Sequence, residues 1–125
     1  MLNPTNYLVL CHRNWKIGFK ILRDEYGIFA GNLSGILSTL KYIRQLIKAS
    51  ASVRANYIEA SDDLGRADER MKIKISRREV KESVFFLGLV LTYEDEDLER
   101  ERRELIEEGI QMRKILSAIL NKLNV

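Results

Sequence analysis

A chain of 125 residues, 46% hydrophobic and 31% charged, fits one domain with enough apolar residues for a core, and that balance excludes a disordered chain. Its net charge of +3 is too small to mark a dedicated nucleic-acid binder, although residues 1–93 carry +6 and residues 94–125 carry −3. The single proline, Pro4, and the single cysteine, Cys11, exclude a proline break beyond Thr5 and an intrachain disulfide, and point to helices in a reducing, cytoplasmic compartment.

The N-terminal third begins without a basic leader, so no secretory signal is expected. Trp15, Gly18, Ile21, Leu22 and Tyr26 suit a first amphipathic helix. Gly27, Gly31, Asn32, Ser34 and Gly35 then read as a connector, with Ile28, Phe29, Leu33, Ile36 and Leu37 unusually apolar for one. From Ser38 to Ser61 the spacing of Leu40, Ile43, Ile47, Ser50, Arg54, Tyr57 and Ile58 predicts a second helix. The small residues Ala49, Ser50, Ala51 and Ser52 on it would admit a close neighbour.

The run Ser61-Asp62-Asp63-Leu64-Gly65 predicts a turn, and Gly65 with Asp68 three positions on predicts a helix start. In the third helix Ile73, Val80 and Leu87 form one heptad row, and Arg77, Val84 and Leu91 the other. Residues 71–75 alternate like a strand, but the helical period persists far longer and overrules them. The run Val84 to Leu91 is eight residues, far short of the roughly 20 that span a bilayer, so no membrane association is expected. A fourth helix is expected from about Glu94 to Leu123, where Leu98, Leu105, Met112 and Ile119 recur by sevens beside Arg102, Gly109, Leu116 and Leu123. Acidic residues crowd its first turn, where they suit the helix dipole. Four helices with short links predict one domain over residues 1–125, an all-α, antiparallel, up-and-down four-helix bundle.

Chemical machinery is sparse. His12 and Cys11 are sequence neighbours, so they do not face one another, and no second histidine or cysteine completes a metal site. Gly31 and Gly35 lack the Gly-Lys-Ser/Thr of a phosphate loop. Glu59, Glu79 and Glu82 lie on neighbouring helices without the Glu-x-x-His pairs of a di-iron bundle, and pairing of Glu59 and Glu79 with Arg54, Arg77 or Arg78 is the simpler role. No enzymatic activity, metal or cofactor is therefore expected. Arg70, Lys74, Arg77, Arg78 and Lys81 fall on one broad face of the third helix beside Lys72, a stripe that could follow a phosphate backbone. The competing reading has these side chains solvating the face or pairing with the acidic last helix.

The stretch Ser52-Val53-Arg54-Ala55-Asn56-Tyr57-Ile58-Glu59-Ala60, with Arg78-Glu79-Val80-Lys81-Glu82-Ser83 on the next helix, resembles the bacterial four-helix-bundle family encoded in intervening sequences of 23S ribosomal RNA genes. The resemblance covers Leu40 to Leu123; upstream, the Phe-Pro that often ends the family's first helix is missing. It implies a ring of five chains without enzymatic activity. A related branch, the accessory proteins of diversity-generating retroelements, implies a basic barrel that binds nucleic acid and a reverse transcriptase.

Asn56 and Glu59 lie one turn apart and, with Glu79 and Glu82, are expected to form an interhelical polar network. Apolar residues beyond one narrow face, among them Phe85, Phe86, Leu89, Val90, Ile110 and Ile115, some of which a monomer of this size would leave exposed, predict self-association. The expected function is that of a homo-oligomer, five chains by the resemblance, binding RNA or DNA through the stripe. The alternative is an adaptor or assembly module that binds a partner protein and no nucleic acid.

Overall fold

Three α-helices account for nearly all of the chain that the computed structural model describes, residues 33–62, 64–90 and 95–124. They are α1 (Leu33–Ala60), α2 (Arg66–Leu89) and α3 (Glu96–Leu123), of 28, 24 and 28 residues, or roughly 42, 36 and 42 Å at the helical rise. Among the described residues the expected four-helix bundle is therefore corrected to an all-α arrangement of three helices. The segment assigned to a first helix, around Trp15 to Tyr26, lies outside the described residues, as does most of the expected connector. The part of that connector from Leu33 to Leu37 is the first turn and a half of α1: the glycine at position 35 costs a helix only about 1 kcal/mol.

Local chemistry sets the helix ends. At the close of α1, the Ser61 and Asp62 amides bond back to the Ile58 and Glu59 carbonyls, and the Ser61 hydroxyl donates to the Ile58 carbonyl at 2.6 Å. Gly65 precedes α2 with φ of 106°, a left-handed conformation that side-chain-bearing residues rarely adopt. Asp95 caps α3, its Oδ1 accepting from the Asp97 and Leu98 amides at 3.0 and 3.1 Å. Glu96, Asp97 and Glu99 follow in the first turn and Lys122 stands in the last, both favourable to the helix dipole.

The helices run antiparallel, and α2 is the central one: it packs on α1 along one flank and on α3 along the other, while α1 and α3 make no close backbone approach. One core cluster results. It joins Ile43, Leu46, Val53 and Ala60 of α1 to Ile73, Val80 and Leu87 of α2, Val90 just beyond it, and Leu98, Leu105, Met112, Leu116 and Leu120 of α3. The polar groups admitted to it are satisfied. Ser76 Oγ donates to the Val53 carbonyl of α1 at 2.7 Å, while Ser50 and Ser83 bond to carbonyls of their own helices.

Both breaks in the α3 heptad have a partner on or just beyond α2. Arg102 donates from Nη1 to the Val90 carbonyl at 2.8 Å and pairs with Glu99, so it closes the C-terminal end of α2. Gly109 is buried, and a Cβ there would stand 2.6 Å from Val84 Cγ2. The absent side chain lets α2 and α3 approach closely.

Candidate functional site

The basic residues expected to form a stripe are divided by their surroundings. Arg77 is half-buried, and its Nη1 donates to Ser117 Oγ of α3 at 3.3 Å. Arg70 is also half-buried, with its Nε enclosed and without a hydrogen-bond partner. Lys72 is tied to Glu59 at 2.6 Å. Only Lys74, Arg78 and Lys81 remain exposed, and Met71, Glu82 and Phe85 are exposed among them. The stripe expected to bind RNA or DNA is thus corrected: the face is mixed in charge and apolar in part, without the run of free cations that counterion release requires.

The four residues expected in a polar network fall into separate settings. Asn56 Nδ2 donates to the Ser52 carbonyl at 2.9 Å and to Ser52 Oγ at 3.1 Å, within its own helix. Glu59 makes an α1–α2 ion pair with Lys72; its side chain is 49% exposed, which places it in the class of pairs that contribute little to stability. Lys72 is held above the ordinary lysine range, first by the hydrogen bond to Glu59 and then by its charge. Glu79 and Glu82 sit together on α2. The Glu79 carboxyl is raised above its ordinary value by partial burial, then by the Glu82 charge and a shared hydrogen bond, with Arg78 and Lys48 opposing.

A raised carboxyl favours its protonated form in the folded state. Stability from this group therefore falls as pH rises from the ordinary glutamate range through the raised value. Glu79→Gln is expected to stabilise the fold near neutral pH, and the gain should vanish below about pH 4, where the carboxyl is protonated in both states. Thermal melts of the two proteins across that range test it.

The exposed outer side of α2 was only partly visible as apolar surplus. Met71, Phe85 and Leu89 are 56%, 61% and 37% exposed, a concentration of large apolar surface that usually marks contact with another chain. Phe85 stacks edge-on against Phe86, which meets Tyr42 of α1 at 6.4 Å between ring centres, so the exposed ring rests on a fixed aromatic support. Of the other residues in the expected surplus, Val90 belongs to the core at 1% exposure, while Ile110 and Ile115 are exposed on α3.

A cavity of about 500 Å³ lies where the end of α1, the start of α2 and the end of α3 meet, lined by Tyr57, Ile73, Ile115, Ile119 and Leu123 with Glu69 and Lys122. Burial pushes the Tyr57 phenol up. Among the described residues, no His, Cys, Asp or Glu residues gather as a metal-ligand group, and no helix is long and apolar enough to cross a membrane. Cys11 and His12 lie outside the described residues. Comparison of the chain with family models, with curated proteins and with solved structures gives no match.

Proposed function

We propose that this chain acts by association rather than catalysis, as a helical module that binds copies of itself through the outer face of α2. The observation that carries the reading is the exposure of Met71, Phe85 and Leu89 on the solvent side of the central helix, a face that neither α1 nor α3 covers. Burying rings and thioethers of this size between chains releases water from apolar surface at roughly 25 cal/mol per Å². The motif Ser52 to Ala60 supports membership of the intervening-sequence family, and that resemblance makes a ring of five the alternative to a smaller closed oligomer. A cytoplasmic setting, suggested by the lone cysteine, completes the proposal.

Light scattering on the whole chain, from about one to a few hundred micromolar, is expected to give masses above the 14.5 kDa of one chain. Met71→Ser/Phe85→Ser should weaken association at least tenfold while leaving the melting temperature nearly unchanged, since both side chains are more than half exposed. A monomer throughout that range overturns the proposal.

A further inference from the structure

The outer face of α2 has a pattern that specifies its partner. Met71, Ile75, Arg78, Glu82, Phe85 and Leu89 are spaced by four, three, four, three and four residues, the alternation of a heptad seam. At 100° per residue they occupy a stripe about 80° wide. The opposite side of the helix carries Ile73, Ser76, Val80, Ser83 and Leu87, all buried. The central helix thus has two heptad faces. The inner one is occupied by α1 and α3. Among the described residues nothing covers the outer one: Met71, Arg78, Glu82, Phe85 and Leu89 are exposed and Ile75 is half-buried.

We infer that this outer face pairs with the same face of a second copy, antiparallel, about a two-fold axis at the level of Val80. The inference rests on the self-association reading and adds the partner surface, the direction and the register. In this arrangement Met71 meets Leu89 of the other copy, Ile75 meets Phe85, and Arg78 meets Glu82; the two-fold axis then repeats each contact. A self-complementary patch of this kind closes as a dimer.

Charge decides the direction. Parallel pairing sets Arg78 against Arg78 and Glu82 against Glu82, two like-charge layers at the centre of the seam. Antiparallel pairing converts both layers into arginine–carboxylate contacts, which can form two parallel hydrogen bonds each. The central polar layers also fix register, since a slip by one heptad would set a charge against Met71 or Leu89. Polar residues in an otherwise apolar seam are best known for this role, at some cost in affinity. Glu79 and Lys81 each approach their own mate across the axis on opposite rims. Arg78 and Lys48 lie near Glu79, and rim charges in water interact weakly. A seam one helix wide and 24 residues long buries less than the roughly 800 Å² per partner of a standard interface, so micromolar affinity is expected.

Charge reversal tests the pairing on the full chain. Arg78→Glu alone sets Glu against Glu82 of the mate, and Glu82→Arg alone sets Arg against Arg78; each should weaken dimerisation at least tenfold by sedimentation equilibrium. Mixing the two single variants one to one restores both opposite-charge contacts, and so does the double variant R78E/E82R; both should return to within a fewfold of the wild-type dissociation constant. Circular dichroism on each variant checks that these exposed substitutions leave the helices formed. A wild-type oligomer that neither single variant weakens, or whose mass is that of five chains, overturns this pairing and leaves self-association standing. A wild-type monomer overturns both.

Discussion

Gly109→Val is expected to lower stability by about 1–3 kcal/mol, the range for forcing extra atoms into a packed interface. The new Cβ alone would stand 2.6 Å from Val84 Cγ2, closer than two carbons can lie. Valine cannot relieve this by bending, because its branched Cβ holds few rotamers in a helix. Val84 is branched too, so relief requires α2 and α3 to separate. Replacing glycine inside a helix returns only roughly half a kcal/mol through intrinsic propensity. In a chain of this size the net loss corresponds to a fall of roughly 5–10 °C in melting temperature. The double variant Val84→Ala/Gly109→Val identifies the cause. Removing Cγ2 should recover part of the loss if the clash is responsible, and none if Gly109 serves backbone flexibility instead.

The same position shows what the amino-acid pattern could disclose. The heptad in α3 was legible because Leu98, Leu105, Met112 and Ile119 repeat without interruption by proline; the first three are buried, as is Leu116 of the second row, while Ile119 and Leu123 are half-buried against the core. Arg102 and Gly109 stood out as exceptions, but their reasons lie across the interface, in the Val90 carbonyl and in Val84. No local period contains that information. In α1 the period was legible but part of the core face was missed. Of the spaced set Leu40, Ile43, Ile47, Ser50, Arg54, Tyr57 and Ile58, Ile43 and Ser50 are buried, whereas Leu46 and Val53, outside that set, occupy the core at 0% exposure. Ala49 and Ala60 are buried as well: small residues mark where helices approach, yet they contribute little to an apolar pattern. The start of α1 was displaced for a related reason, since glycine at 35 read as a connector and the helix runs through it.

The site was harder to read than the fold. Five basic residues at helical spacing suggested a phosphate-binding stripe, because spacing records which side chains share a face and not what stands opposite. Arg77 reaches Ser117, forty positions away in sequence, and that contact removes the middle of the stripe. The outer seam of α2 was hidden by its mixture of types. Met71 and Ile75 read as part of a competing strand-like alternation, Arg78 as a phosphate ligand, Glu82 as a network carboxylate, and Phe85 and Leu89 as part of a scattered apolar surplus that predicted self-association without a defined face. They belong to one surface only when the inner face of the same helix is known to be occupied.

Leu105→Ala is the substitution expected to cost most, about 2–5 kcal/mol from lost transfer energy and the cavity left behind. Leu105 is 0% exposed and belongs to the single core cluster. Its position makes it difficult to replace. The inward stripe of α3 reads Leu98, Arg102, Leu105, Gly109 and Met112, and Arg102 is turned to the Val90 carbonyl while Gly109 has no side chain. Between Leu98 and Met112, Leu105 is therefore the one large aliphatic group on that line. Neighbours close such a gap poorly when one is a hydrogen-bonded arginine and the next a glycine, so the cost should fall in the upper half of the range. Domains of this kind hold only about 5–15 kcal/mol in total, so the variant should unfold at a much lower denaturant concentration with an unchanged slope. Leu64→Ala supplies the control. Leu64 is 74% exposed in the α1–α2 turn, and its loss should change stability by about 0.5 kcal/mol or less. Urea titrations of the two variants beside the wild type make the comparison; equal midpoints for Leu105→Ala and Leu64→Ala would mean that α3 is not docked through this stripe.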